Sequence, residues 1–423
     1  MRHMNVYGAV ILAALVLDWG LNLAADLLNL RALRPELPRE AADVYDAAAY
    51  RRSQLYTRTR TRFGLVTSTV DLAVFLAFWL AGGFAALDGW STRVGRGPIL
   101  TGLLFVGTLA VARVAIGLPF RLYSTFVIEN RFGFNRATPV TFVTDLLKGA
   151  LLALAIGAPV LAAVLYLFQH AGPSAWLYSW MITTLVMLVV QFVAPTWIIP
   201  LFNTFTALPD GELRQAILAY ARNVAFPLSG VFVIDGSRRT TKANAFFAGF
   251  GAHKRIALFD TLVEQQTTPE LVAVVAHEVG HYKLRHIPKR LALSIAHSGI
   301  LFALLSVFLS RQGLFAAFGI DRPSVHAGLV FFGLLYTPVE LALGIWLNAL
   351  SRRDESAADR FAARTTARPD SLASALKRLA SDQLANLTPH PLYVALNHSH
   401  PPLLTRLGAL RRMVATTAAE ASR

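Results

Sequence analysis

The sequence predicts a mainly α-helical polytopic membrane protein of about seven spans, interrupted by one small α+β insertion. Three observations carry that reading. Hydrophobic residues make up 55% of the 423-residue chain and charged residues only 15%, with a mean hydropathy of +0.48, too apolar for an ordinary soluble domain. The apolar residues gather in runs long enough to cross about 30 Å of hydrocarbon. Between the fifth and sixth runs lies a more polar stretch, in which short β-branched and aromatic segments are separated by turn residues.

Residues 6–28 form the first run, behind Arg2 and His3; its length and the lack of a clean A-x-A site mark a retained span and not a cleaved leader. Residues 64–87, 99–118, 146–168, 175–199, 291–309 and 325–347 supply the other spans. This divides the chain into a five-span membrane region (1–200), the insertion (201–288), two further spans (289–347) and a helical tail (348–423). Arginines crowd alternate connections, from Arg31 to Arg62, at Arg121, Arg131 and Arg136, from Arg214 to Arg285, and again from Arg352 onward. The other side carries only Arg2, Arg93, Arg96, Arg311 and Arg322, which places the N-terminus outside and the C-terminus in the cytoplasm. The net charge of +15 is therefore a signature of topology, and no nucleic-acid partner is expected. The excess of arginine over lysine and the abundance of alanine hint at a GC-rich bacterial genome, so the expected location is a bacterial inner membrane. Asp18, Asp71, Arg113, His297 and Glu340 lie inside or at the edges of spans and should face one another or a hydrated interior.

Within the insertion, residues 212–224 read as a helix and residues 231–235, 244–248 and 255–259 as strands, with Gly249 and Gly251 turning the last two. The next helix carries the chemistry. Thr267 or Thr268 caps it, Pro269 fits its first turn, Glu270 suits its positive end, and Pro288 is expected to stop it near Ile287. His277 and His281, four residues apart, stack on one face with Glu278 beside them. In this HExxH pattern two imidazoles hold a zinc ion and the carboxylate handles a proton of the attacking water. The chain has no cysteine, so only histidine and carboxylate are available as ligands. His286 falls on the wrong face of a continuous helix, and Ile287 stands where a third histidine of the HExxHxxGxxH type would be. Glu355 and Asp359, at i and i+4 of a later helix, are the candidates: Glu355 as third ligand, Asp359 orienting a ligand histidine. Two spans separate His281 from Glu355, so both emerge on one side of the membrane. Residues 371–385 read as an amphipathic helix, and Pro401 and Pro402 open a final helix with His400 at its mouth.

The chain resembles the CAAX prenyl protease 1 family of integral-membrane zinc metalloendopeptidases. The likeness rests on residues 50–63, on Glu129-Asn-Arg-Phe-Gly-Phe-Asn135, on Asn244-Ala-Phe-Phe, on HEVGH at 277–281, ESAAD at 355–359 and SHPPLLTRL at 399–407. It implies seven helices ringed around a water-filled chamber, roofed on the cytoplasmic side by a zincin-type α+β protease domain. It further implies one zinc per chain on His277, His281 and Glu355, Glu278 as general base, Asp359 behind a ligand, and Asn244, His400 and Arg406 near the metal. Asp354 departs from the family pattern, where relatives tend to carry an aromatic or other residue.

Residues 244–248 should form an edge strand beside the zinc helix, with Asn244, Ala245 and Phe246 aligning an extended peptide through main-chain bonds. His400 is placed to donate to the oxyanion, and Arg406 to support it or bind a C-terminal carboxylate. The expected partners are a peptide or protein substrate, lipidated or not, and the lipid bilayer; the sequence sets no oligomeric state and is compatible with a monomer. A quality-control protease without prenyl specificity is the second reading. A transporter or channel with a structural zinc domain is the third, disfavoured because structural zinc normally takes four protein ligands and only three are on offer.

Overall fold

The computed structural model describes residues 4–248 and 254–421, so the turn expected at Gly249 and Gly251 lies outside the described residues. The chain starts with α1 (Val6–Arg31), capped by Asn5, whose side chain accepts the Gly8 amide. Asp46 caps α2 (Ala47–Leu80) by accepting the amides of Ala48 and Ala49. At 34 residues α2 is about 51 Å long, well beyond one bilayer core. The arginine-rich connection before the second hydropathy peak is thus helix, and the helix ends at Leu80 instead of running to residue 87. Gly82, at φ 79°, breaks it, and α3 (Gly83–Val94) turns away.

α4 (Pro98–Tyr123) runs on through a π turn to Glu129. α5 (Pro139–Leu152) and α6 (Ala158–His170) are joined by a π turn into one long rod, and α7 (Ala175–Val193) continues through a π turn and then a short 3-10 turn to Leu201. The insertion comprises β1 (Phe205–Ala207), α8 (Glu212–Asn223), β2 (Leu228–Ile234), β3 (Ala245–Ala248), β4 (Lys254–Phe259), α9 (Asp260–Gln265) and α10 (Thr268–Lys283). Then follow α11 (His286–Phe308), α12 (Gln312–Ala316), α13 (Val325–Leu335), α14 (Thr337–Thr366), α15 (Pro369–Asp382), α16 (Pro391–Asn397) and α17 (Leu403–Ala421).

Among the described residues, six helical stretches are long and apolar enough to cross a membrane. They become seven if α13 and α14, bent by 53° between them, count as one. The bend has a local cause: Pro338 lies in the first turn of α14, lacks an amide donor and disfavours helix at the residue before it.

The sheet order is β1-β2-β4-β3, with β2 and β4 parallel and both outer pairs antiparallel. β3 is therefore an edge, and it lies beside α10. The sheet is fastened to the spans by polar contacts. Tyr56 of α2 donates to Glu129 at 2.7 Å, and Lys242, just before β3, donates to the same carboxylate at 2.8 Å. Arg239 grips Asp145 of α5 at 2.7 and 2.9 Å.

Two separate hydrophobic cores form. One unites the sheet, α8, α10, α15 and α17 with Tyr50 and Tyr56 of α2 and with Phe132 and Phe134. The other packs Ile11, Trp79, Phe84, Phe105, Phe318 and Phe331 at the far ends of the spans. Of the ionisable groups in the spans, Arg113 makes a two-pronged contact with Asp71 at 2.6 and 2.9 Å, and His297 lies 3.4 Å from Glu340. Asn22 donates to Asp18 on the same helix.

Candidate metal centre and catalytic cleft

α10 begins with a reciprocal cap: the Thr267 side chain takes the amide three residues on, and Glu270 accepts the Thr267 amide at 2.8 Å. Arg378 of α15 reaches the other Glu270 oxygen at 3.2 Å, fixing the start of the helix to the tail. Further along, α10 lies against α14 at Gly280. A Cβ there would sit 3.2 Å from the Ala358 Cα and 3.3 Å from its carbonyl oxygen, so even alanine would require α14 to give by a few tenths of an ångström. This close approach delivers Glu355 and Asp359, both buried, to the histidines.

The ligand atoms of His277, His281 and Glu355 all lie within 4.8 Å of one another. His277 Nε2 is 3.1 Å from Glu355 Oε2, His281 Nε2 is 3.4 Å from Glu355 Oε1, and the two Nε2 atoms are 3.2 Å apart. Two neutral imidazoles facing each other by their lone pairs repel unless a cation lies between them. Two nitrogens and one carboxylate oxygen form the donor set of a catalytic zinc site with a position left for water, and the residues present fit zinc. Burial drives the metal-free His277 imidazole down, but contacts from Asp359 and Glu355 outweigh that and hold it up at about 9. The cluster thus calls for a positive charge, which a proton provides when a metal does not.

Behind His277, Nδ1 lies 2.9 Å from Asp359 Oδ1, close though imperfectly aligned as a hydrogen bond. Arg406 of α17 clasps Asp359 with two nitrogens, at 2.8 and 2.6 Å. Behind His281 the arrangement departs from the expectation of a continuous helix to Ile287. α10 ends at Lys283, Arg285 adopts a left-handed conformation (φ 58°, ψ 33°), and α11 starts at His286. A non-glycine residue in that region costs roughly 1 kcal/mol. The break swings His286 back, so its Nδ1 lies 3.1 Å from His281 Nδ1, while Nε2 is 3.5 Å from Asp354 Oδ1. The reading of His286 as facing away is thereby corrected; a backbone break, not helical periodicity, decides its direction.

A cavity of about 410 Å³ opens over the cluster, with Asn244, Ala245, His277, Glu278, His400 and Arg406 among its walls. Burial in this cleft pushes the Glu278 carboxyl up, against the pull of His277 and His281. His400 Nε2 is 3.3 Å from Glu355 Oε2 while its ring stays well exposed. Phe246 is not among the walls, since strand alternation turns it to the face opposite Ala245. Two contributors were not anticipated. Gln383, just past the end of α15, lines the cleft and donates to the Ala243 carbonyl at 3.0 Å, and leucines of α9, α15 and α17, including Leu262, Leu376 and Leu403, make the far wall apolar. The amphipathic pattern of α15 is the signal that carried Leu376; Gln383 had none.

Residues 26–204 match the family described as CAAX prenyl protease N-terminal, five membrane helices, and residues 207–414 match peptidase family M48. The CAAX prenyl protease 1 homolog of Arabidopsis thaliana is 36% identical over 394 residues, covering 91% of this chain and 93% of that protein. The Homo sapiens homolog is 32% identical, covering 97% and 96%. The crystal structure of S. mikatae Ste24p superposes with a TM-score of 0.92 at 31% identity, covering 96% of this chain and 99% of that one.

Proposed function

The chain belongs to the M48 peptidases as a CAAX prenyl protease 1 homologue, a membrane-embedded zinc metalloendopeptidase, and from that premise we propose which residues perform the hydrolysis. The observation that carries the assignment is the convergence of His277, His281 and Glu355 beside Glu278 in a cleft bordered by a sheet edge. Zinc bound by those three residues, one ion per chain, supplies a Lewis acid that polarises the scissile carbonyl and makes water a stronger acid.

Glu278 accepts the proton of the attacking water and returns it to the leaving amine; its raised pKa makes it a better base than an exposed carboxylate. β3 aligns an extended peptide by main-chain bonds at its free edge, with Asn244 and Ala245 at the near end. His400 donates to the oxyanion as it forms. Asp359, clasped by Arg406, fixes the His277 ring. With Arg406 so engaged, bracing is its main part.

His400→Ala is expected to lower kcat about 10²-fold with little change in KM, because that contact strengthens only in the transition state. Asn244→Ala raises KM as well. Steady-state kinetics on zinc-replete variants checks this, and wild-type rates in both would remove these two roles.

The substrate is a peptide or protein reached from the membrane, lipidated or not, and the protein can act as a monomer. A peptide library with and without farnesyl groups, cleaved by wild type and not by Glu278→Gln, separates CAAX-type processing from prenyl-independent quality control. We further place the catalytic roof, built from the 201–288 insertion and the tail from 348, in the cytoplasm of a bacterial cell, with the N-terminus outside. The arginine distribution supports this orientation. The chain has no cysteine, so single cysteines can be read without background. Thr92→Cys and Asp321→Cys, both at exposed positions, should react with an impermeant maleimide from outside, and Asp370→Cys only after lysis. The reverse pattern overturns the topology.

A further inference from the structure

The two zinc-facing histidines are backed in unlike ways. His277 has a carboxylate directly behind it, Asp359, clasped in turn by Arg406. His281 has a second imidazole behind it, and the carboxylate lies one residue further out. With a metal ion held among His277, His281 and Glu355, His281 Nε2 must present its lone pair to that ion, and its proton must sit on Nδ1. That nitrogen faces His286 Nδ1 at 3.1 Å, which must then be the bare, accepting nitrogen of His286. The His286 proton is left on Nε2, toward Asp354 Oδ1 at 3.5 Å. The other Asp354 oxygen faces Arg290 at 3.4 Å, and Arg290 also donates to Ser351 at 3.2 Å. Only one distribution of protons satisfies the whole row. We propose that His286 and Asp354 are positioning residues of the metal centre, fixing the tautomer and ring direction of His281 through a line running from His281 to His286 to Asp354 to Arg290.

Burial and backbone support this assignment independently of the distances. His286 is 3% exposed, so its ring nitrogens have little recourse to water. Arg285 holds a left-handed conformation that L-residues disfavour, and that break points His286 back at His281. Asp354 is needed because His286 also borders a second cavity of about 960 Å³, rimmed by Lys289, Arg352, Arg353 and Arg360. Without an acceptor on its own side, the imidazole is free to turn toward that space.

The inference rests on the zinc reading of His277, His281 and Glu355, and the experiment separates the two. Full-length purified protein is stripped of metal and titrated with zinc, and its visible spectrum is recorded after loading with cobalt. His286→Phe is expected to weaken zinc binding about 10- to 100-fold and to shift the cobalt bands, because the ligand ring loses its director. His286→Asn, whose amide oxygen can accept from His281 Nδ1, recovers much of the loss. Asp354→Ala, next to the open cavity, shifts affinity and spectrum in the same direction as His286→Phe. Added to His286→Phe it brings no further change, since Asp354 acts only through His286. Wild-type affinity and spectrum in Asp354→Ala, or full additivity of the two substitutions, overturns the proposal. Equal loss in the Asn and Phe variants does so too. Failure of the wild-type protein to take up cobalt would instead sink the zinc reading itself.

Discussion

Replacing Glu278 by glutamine is expected to leave fold and zinc content intact and to lower peptide hydrolysis by at least about 10²–10⁴-fold, the contribution of a positioned general base. The amide keeps the shape and hydrogen-bonding reach of the carboxylate but cannot accept the proton. The wild-type enzyme should show the same dependence in its pH profile. Hydrolysis needs Glu278 ionised, and burial raises its pKa. Activity is therefore lost as pH falls through that raised value, and the acid limb of kcat/KM lies above the ordinary glutamate value of about 4.3. In Glu278→Gln the limb disappears along with the rate. Metal analysis and turnover on one preparation are the measurement, and undiminished cleavage by a zinc-replete variant would falsify the assignment.

Glu355→Gln is expected to empty the site. Apparent zinc-binding energies of roughly 10–16 kcal/mol, shared among four ligands, put about 3 kcal/mol on each, or some two orders of magnitude in affinity. The loss is aggravated here because Glu355 contacts His277, His281 and His400 together. pH modulates it. In the metal-free protein Asp359 and Glu355 keep a proton on His277 up to about pH 9, and zinc must displace it. Zinc affinity of the wild type should therefore fall as pH drops below that value, and removal of Glu355 should flatten the dependence. Chelator competition across a pH series measures both; a variant that holds zinc as tightly as wild type would rule out Glu355 as a ligand.

The parts of the site that were legible from sequence are those set by local periodicity. His277, Glu278 and His281 share one turn and a fraction of helix, and Glu355 and Asp359 do the same in α14, so spacing alone puts each set on one face. Their meeting required that both helices emerge on the same side and pack closely at Gly280. His286 was misread because its direction depends on Arg285, which looks like any other residue until the chain turns at it. Hydropathy marks where helix meets lipid but not where helix stops, so the arginine-rich start of α2 read as a connection although Asp46 caps it as helix. The run from 325 to 347 read as one straight span, although Pro338 divides it. β1 has three residues and pairs only with β2, too short a run for alternation to register.

Among the described residues the two hydrophobic cores have no residue in common, and few residues of the spans between them are fully buried. Folding cooperativity follows packing, so such a chain loses its structure on heating in two steps, not one. On the proposed ligand set zinc binds in the roof, and by mass action it is expected to raise the melting of the roof by an amount set by its concentration, leaving the far ends of the spans where they were. Two melting transitions, not a single melting temperature, are the expected result of calorimetry. The interval between the two transitions reports how much metal it carries.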